Sequence, residues 1–444
     1  MSEPEPSPDS FDVPPAVIEG QTHSLSSEPP GKISGRLVPT TPTERIQVLD
    51  VLRGVALLGI LITNIQHFSM FAGTVRNPTL YGDLTGANLW VYSLTFNLAF
   101  QKFMPIFSML FGAGIMMAAT RREAAGERAG IFHYRRMFFL LLIALAHSYL
   151  IWYGDILFVY AVCGALVFPL RFRSARFLIA AGIVMLAGQP IMEIITFRMT
   201  WIYELVNPFA GMSLEEVSAT DLAAFQGGWM ENFRQRAAYS LEGQTVGFLL
   251  HGIWRGCGLI LLGMGLYRLR ILTGERARSF YRTLIAVGLG IGIPITAFAF
   301  WMSYSANWGD FWVQQFALQV IHWVGIVVSL AWIGIVMLAC RPACRSWMGR
   351  ALAAVGRTAL SNYLLHSLIC TFIFYGFGLG LYGSVERTEQ IGIVFAVWVL
   401  QLLISPLWLR YFRFGPAEWL WRSLSYGGLQ PFRVGRPRGS LGSV

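Results

Sequence analysis

Residues 45–68 read RIQVLDVLRGVALLGILITNIQHF. From Val51 to Gln66 this stretch holds one charge, Arg53, and it stays apolar long enough to cross a bilayer core, which takes about 20 residues of helix. Apolar segments of this kind recur along the chain, near 51–72, 100–119, 134–153, 155–170, 176–198, 243–267, 280–302, 313–339, 358–381 and 390–409. The 155–170 segment is marginally short and needs little tilt; the apolar stretch 89–100 extends the second span or lies in the interface. Composition agrees: 55% of the 444 residues are hydrophobic and 13% charged, against about 25% charged in a soluble domain. The expected fold is an all-α polytopic transmembrane helical bundle of about ten spans. This excludes a secreted enzyme, a disordered scaffold and a soluble nucleic-acid binder. The net charge of +10 is almost entirely arginine, 32 residues against two lysines, in clusters that membrane topology explains.

Those clusters orient the bundle. Loops after even-numbered spans hold Arg121, Arg122, Arg128, Arg135 and Arg136; Arg171, Arg173 and Arg176; Arg268, Arg270, Arg276, Arg278 and Arg282; and Arg341, Arg345, Arg350 and Arg357. Loops after odd spans hold Arg76, then Arg198, Arg234 and Arg236, then Arg387, and two hold none. Arginine-rich loops stay on the cytoplasmic side, so the even loops and both termini are expected there. Residues 1–44, rich in Pro, Ser and Glu, are expected to form a disordered cytoplasmic tail. Residues 45–410 form the transmembrane helical domain, and 411–444 an interfacial helix (EWLWRSLSY) with a basic tail. In the long external loop, SLEEVSATDLAAF predicts a capped helix with Ser213 as N-cap and Glu216 at the third helical position. That helix either covers an external opening or lies on the surface.

Motif chemistry is sparse. There is no phosphate-cradling glycine loop, nucleophile elbow or metalloprotease pattern. The five cysteines (Cys163, Cys257, Cys340, Cys344, Cys370) lie in spans or on the predicted cytoplasmic side, so no extracellular disulfide is expected. Cys340 and Cys344 lack a second ligand pair, and no metal site is expected.

Ionisable groups inside hydrocarbon cost about 2.5–3.5 kcal/mol for Arg or Asp at a helix centre, and so need partners or a polar cavity. Five of the seven histidines fall in spans: His67, His147, His251, His322 and His366. Arg53, Asn64 and His67 share one face of the first span; Arg53 can pair with Asp50. His147 ends the third span and Asp155 opens the fourth after a tight turn, which can bring imidazole and carboxylate together or simply tie a hairpin. His251 and Arg255 stack at a four-residue spacing, with Asp155 or Glu193 as carboxylates to face Arg255, and Asn362 and His366 repeat that spacing. His322 occupies the external half of the eighth span. Together these residues are expected to line a polar cavity through the bundle; unrelated interhelical hydrogen bonds are the alternative.

The chain resembles the YeiB-type family of bacterial multi-pass proteins. The resemblance rests on RIQVLDVLRGVALLGILITNI (45–65), FMPIFSMLFGAGI (103–115), YGDIL (153–157), GRTALSNYLLHSLICTFIFYGFGLGLYG (356–383) and FRFGPAEWLWRSLSYGGLQPFR (412–433). The LDVLRG block is also similar to wider groups of membrane acyltransferases, acyltransferase family 3 and the heparan glucosaminide N-acetyltransferases. Those groups imply transfer of an acyl group from cytosolic acyl-CoA to a hydroxyl or amine, often on an extracytoplasmic glycan. Family 3 shows an arginine, ten intervening residues and a histidine; here Arg53 matches, but Asn64 stands in the histidine place and His67 lies one turn on. An amide cannot serve as a general base near neutral pH.

Two functions are therefore expected in competition. As an acyltransferase, His147 or His67 would deprotonate the acceptor or relay the acyl group, and Asp155 would hold the ring. Arg53 or Arg255 would bind phosphate or the oxyanion, while Asn64, His251, His322, Asn362 and His366 would contact substrate. The donor is acyl-CoA, the acceptor a glycan or small molecule, and no cofactor is held tightly. As a permease for a small polar or anionic solute, the same histidines would carry protons and Arg255 would hold the anion. The lipid bilayer is the expected partner in both cases, and nucleic acid is not.

Overall fold

The computed structural model describes residues 32–33, 36–37, 47–75, 77–198, 212–343 and 346–434. The 1–44 tail expectation thus lies outside the described residues, except that Lys32–Ile33 pairs antiparallel with Arg36–Leu37 in the first of two units. Cys344, Arg76, Arg345 and the basic tail beyond 434 also lie outside them.

The second unit is helical. In chain order the helices are α1 Gln47–Ser69, α2 Gly86–Leu98, α3 Phe103–Ala124, α4 Ala129–Leu150, α5 Leu157–Val167, α6 Ala175–Arg198, α7 Leu214–Gln226 and α8 Trp229–Gln244. They continue with α9 Ile253–Arg268, α10 Arg278–Val287, α11 Ile293–Ser305, α12 Phe311–Ala343, α13 Trp347–Arg357, α14 Ala359–Phe374, α15 Arg387–Tyr411 and α16 Pro416–Tyr426. Eight helical stretches among the described residues are long and apolar enough to cross a membrane, and Leu157–Phe172 and Ala359–Phe374 are shorter apolar ones. All ten apolar segments are represented, and the protein is a polytopic membrane protein.

Three departures from the hydropathy pattern matter for the site. The apolar stretch before residue 100 is a helix of its own, α2. Gln101 turns the chain at φ 57°, and the buried Lys102 ammonium donates to the Phe96 carbonyl at 2.7 Å, closing a helix end that favours a cation. The 358–381 segment stays helical only to Phe374. There Gly376 lies so close to the Gln226 carbonyl that no Cβ fits, and Gly376 N–H donates to Phe225 O at 2.8 Å. Finally, residues 347–357 form α13, an amphipathic helix within an expected loop. Its Gly356 and the Gly54 of α1 let two backbones touch, since a Cβ at Gly356 would overlap Asp50 O and one at Gly54 would overlap Leu352 O. Membrane helices associate through such small-residue contacts because apolar surface gains little by leaving lipid.

The predicted loop helix is present as α7. The Ser213 side chain accepts from Glu216 N–H and the Glu216 carboxylate accepts from Ser213 N–H. It is no loose surface helix. Gln226 Nε2 donates to Tyr382 O at 2.8 Å, and the fully buried Phe225 stacks on Tyr375 at 4.8 Å. The next helix, α8, donates from Ser240 Oγ to Ser148 O and from Gln244 Nε2 to Ser148 Oγ. The α7–α8 pair thus covers the ends of α4 and α14, opposite the arginine-rich end of the bundle.

Candidate active site

His147 sits in the last turn of α4, and the chain reverses over residues 151–156 into α5. Asp155 precedes the first turn of α5, where its Oδ2 accepts from Phe158 N–H at 2.7 Å. This ties the carboxylate to free donors at a helix start, which also favour negative charge. Its Oδ1 lies 2.8 Å from His147 Nδ1, so the hairpin does bring the pair together. A carboxylate only accepts, which puts the ring proton on Nδ1 and leaves the Nε2 lone pair free to accept. At 2.8 Å from Nε2 stands Ser367 Oγ, on α14. All three side chains are almost fully buried. Sequence reasoning missed Ser367: it follows His366 directly, but its partner is 220 residues away.

A cavity of about 180 Å³ opens among the arginines at the other end of these helices. Arg53, Arg136, Arg357 and Arg422 line it at the arginine-rich helix ends, and Phe107, Phe111 and Leu140 line it further along. Ile156, Tyr160 and Tyr363 line its far end. Ile156 adjoins Asp155, and the Tyr363 ring centre is 5.2 Å from that of His147. Arg53 also pairs with Asp50 at 2.8 Å, as the i,i+3 spacing suggested.

The helix α16, expected to lie in the interface, walls this cavity with Trp421 and Arg422. Trp421 Nε1 donates to Arg136 O at 2.8 Å, and the Arg136 guanidinium lies over the indole at 4.3 Å. Glu418 is buried and accepts from Leu360 N–H at 2.6 Å and Ser361 N–H at 3.2 Å, capping α14 from a separate helix. Burial pushes its carboxyl above the usual range, with the hydrogen bonds from Ser361 and Leu360 pulling the other way. Glu418→Ala leaves both donors bare and is expected to cost about 1–3 kcal/mol. Glu418→Gln, an isostere of the protonated acid, should cost less than half as much. The raised group adds stability below the unfolded carboxyl range, and that increment is lost as pH rises through the folded value. Thermal unfolding in detergent across pH 4–8 checks this: the slope should vanish in Glu418→Gln, and equal losses in both variants would refute the cap.

The other expected site residues do not meet here. On α14, Asn362 Nδ2 donates to Thr358 Oγ1 and Ser405 Oγ, both at 2.9 Å. His366 bonds Gln401 Oε1 at 2.8 Å, and Gln401 Nε2 returns to Asn362 O at 3.0 Å. These bonds join α14 to α15. Elsewhere Arg255 donates to His322 Nδ1 at 2.6 Å and to Gln101 Oε1 at 3.1 Å, and His322 Nε2 donates to Leu186 O at 3.0 Å. Neither expected carboxylate hydrogen-bonds Arg255. Asp155 is engaged at His147, and Glu193 lies 3.5 Å from His251 and accepts from Gln319 at 2.6 Å. Asn64 and His67 do not line the cavity; the His67 carbonyl accepts from Tyr153 Oη at 3.2 Å. The polar residues thus form separate groups: among the described residues Arg53 is the expected site residue that lines the cavity, and the His147–Asp155 pair lies behind its far end, next to Tyr363 and Ile156.

A family model described as "Protein of unknown function (DUF418)" matches residues 266–428, which include Ser367, Tyr363 and Glu418. The chain is 32% identical over 412 residues to "Uncharacterized protein YeiB" of Escherichia coli (strain K12), covering 87% of this chain and 98% of that protein. It is 31% identical over 417 residues to "Uncharacterized protein YxaH" of Bacillus subtilis (strain 168), covering 89% and 98%. No solved structure matches it. With such identity along nearly the whole of these relatives, the chain belongs to the YeiB-type family.

Proposed function

We propose that this protein is an acyltransferase of the bacterial cytoplasmic membrane, moving an acyl group from cytosolic acyl-CoA to an extracytoplasmic or membrane-associated hydroxyl or amine. One observation carries the reading: a cavity lined by four arginines ends at Tyr363, whose ring packs 5.2 Å from a buried imidazole oriented by a carboxylate. Arginine forks bind phosphate bidentately, so Arg53, Arg136, Arg357 and Arg422 suit the phosphates of CoA. The apolar interior suits the thioester arm, and the excess of arginine in the loops at this end supports a cytoplasmic mouth. At the closed end His147 supplies the base and Asp155 fixes its tautomer.

The test is acetyl-CoA binding and turnover by protein in nanodiscs. Binding with slow hydrolysis that His147→Ala abolishes is the expected result; folded protein without affinity for any short-chain acyl-CoA would sink the reading. Arg53→Gln is expected to weaken acetyl-CoA binding about tenfold, roughly 1.4 kcal/mol, and to weaken 3′-dephospho-CoA binding less if that phosphate is its partner. Equal affinities for variant and wild type, by calorimetry, would remove Arg53 from the site. The permease reading draws on a different observation, the buried Arg255–His322 pair beside Glu193 and His251. Solute uptake in proteoliposomes without acyl-CoA binding would favour it.

A further inference from the structure

We propose that Ser367 is the nucleophile of this site and carries the acyl group as an ester between donor and acceptor. The proposal rests on the acyltransferase reading and adds a covalent intermediate to it. The order of groups is that of an activated serine: hydroxyl, imidazole at 2.8 Å, carboxylate at 2.8 Å, and a backbone N–H fixing the carboxylate at 2.7 Å.

Two observations separate this from an incidental contact. A serine or threonine inside a membrane helix usually spends its proton on the carbonyl one turn back. Thr371 does so at 2.7 Å, Ser69 at 2.7 Å and Ser108 at 3.0 Å. Ser367 reaches the Tyr363 carbonyl only at 3.5 Å, and its short contact is the one of 2.8 Å to the imidazole. The second is an unused donor. The Trp152 indole N–H is buried without an acceptor among the described residues, its ring 6.4 Å from that of His147 and held against Phe68 at 3.9 Å. Buried donors are nearly always paired, and a spare one on the ring next to the imidazole suits a developing oxyanion.

The architecture supplies the reason for a carrier. The cavity opens at the arginine-rich end, whereas the end beyond His147 and Ser367 is covered by α7 and α8. A donor and an acceptor arriving from opposite ends need not occupy the site together if the acyl group waits on the protein. In the first step Ser367 Oγ attacks the thioester carbonyl and its proton passes to His147 Nε2. The C–S bond breaks, and the CoA thiolate takes that proton. In the second step an acceptor hydroxyl gives its proton to Nε2 and attacks the acyl-serine carbonyl. The C–Oγ bond breaks, and Oγ recovers the proton from His147. No oxidant or further reactant is needed.

The experiment uses the full chain in nanodiscs with acetyl-CoA labelled in the acetyl group, acid quenching without acceptor, and peptide mapping. Label on Ser367 that only alkaline hydroxylamine releases is expected, lost in Ser367→Ala together with at least about 10³-fold in turnover. Ser367→Cys controls for folding and should move the label to a thioester that neutral hydroxylamine cleaves. If wild type binds and turns over acetyl-CoA, no protein-bound acetyl forms, and Ser367→Ala stays active, transfer is direct: this proposal falls and the acyltransferase reading stands. If wild type binds no acyl-CoA, both fall.

Discussion

Asp155→Asn is expected to slow acyl transfer by about 10²–10⁴-fold while leaving acetyl-CoA affinity within about twofold. The reason lies in which atom each carboxylate oxygen serves. Oδ2 accepts from Phe158 N–H and Oδ1 faces His147 Nδ1. An asparagine keeps its oxygen on the backbone N–H and turns its NH₂ toward Nδ1. That forces the ring proton onto Nε2, where it can no longer accept from Ser367 or a substrate. Size and hydrogen-bond count barely change, so the variant should fold. His147→Ala should lose at least as much, but it leaves a buried carboxylate without its ring partner and is the less clean test. Rates and KM measured for both, with thermal unfolding alongside, decide the matter. A near-wild-type rate for Asp155→Asn would mean the pair only ties the α4–α5 hairpin.

Gly356→Ala is expected to destabilise the bundle by at least the ~1–3 kcal/mol typical of overpacking. A Cβ there overlaps the Asp50 carbonyl, and the facing Gly54 has a backbone atom opposite it as well. Backbone cannot rotate away as a side chain can, so α1 and α13 must separate. Because Arg53 and Arg357 stand on those two helices, acyl-CoA affinity should fall with stability. Gly392→Ala is the control. That glycine lies in α15 with nothing within 4 Å of its would-be Cβ, and alanine there should raise stability by up to about 1 kcal/mol through helix propensity. Unfolding midpoints that shift alike in both variants would remove the close α1–α13 crossing as a determinant.

How far the sequence carried can be seen residue by residue. Hydropathy located the apolar segments because the bilayer imposes its cost on each residue separately, whatever its neighbours. The Ser213–Glu216 capping box and the Asp50–Arg53 pair were legible because both partners lie within one helical turn. The His147–Asp155 contact was legible because a tight turn leaves little freedom between them. Helix α13 was not: it is only 11 residues long, carries Arg350 and Arg357, and buries mainly Gly and Ala, which let it pack closely against α1.

The sequence by itself therefore determined the all-helical membrane architecture, the family and the near-neighbour polar pairs, each set by local physics along the chain. Which polar groups share a site was decided only by the tertiary structure. His147, His366 and His322 divide among the α4–α14 contact, the α14–α15 seam and the Arg255 group. The reason is rotational: a helix in lipid can turn about its axis with little change in hydrophobic energy. Close packing against its neighbours fixes that angle, and with it whether Ser367 meets His147 or lipid.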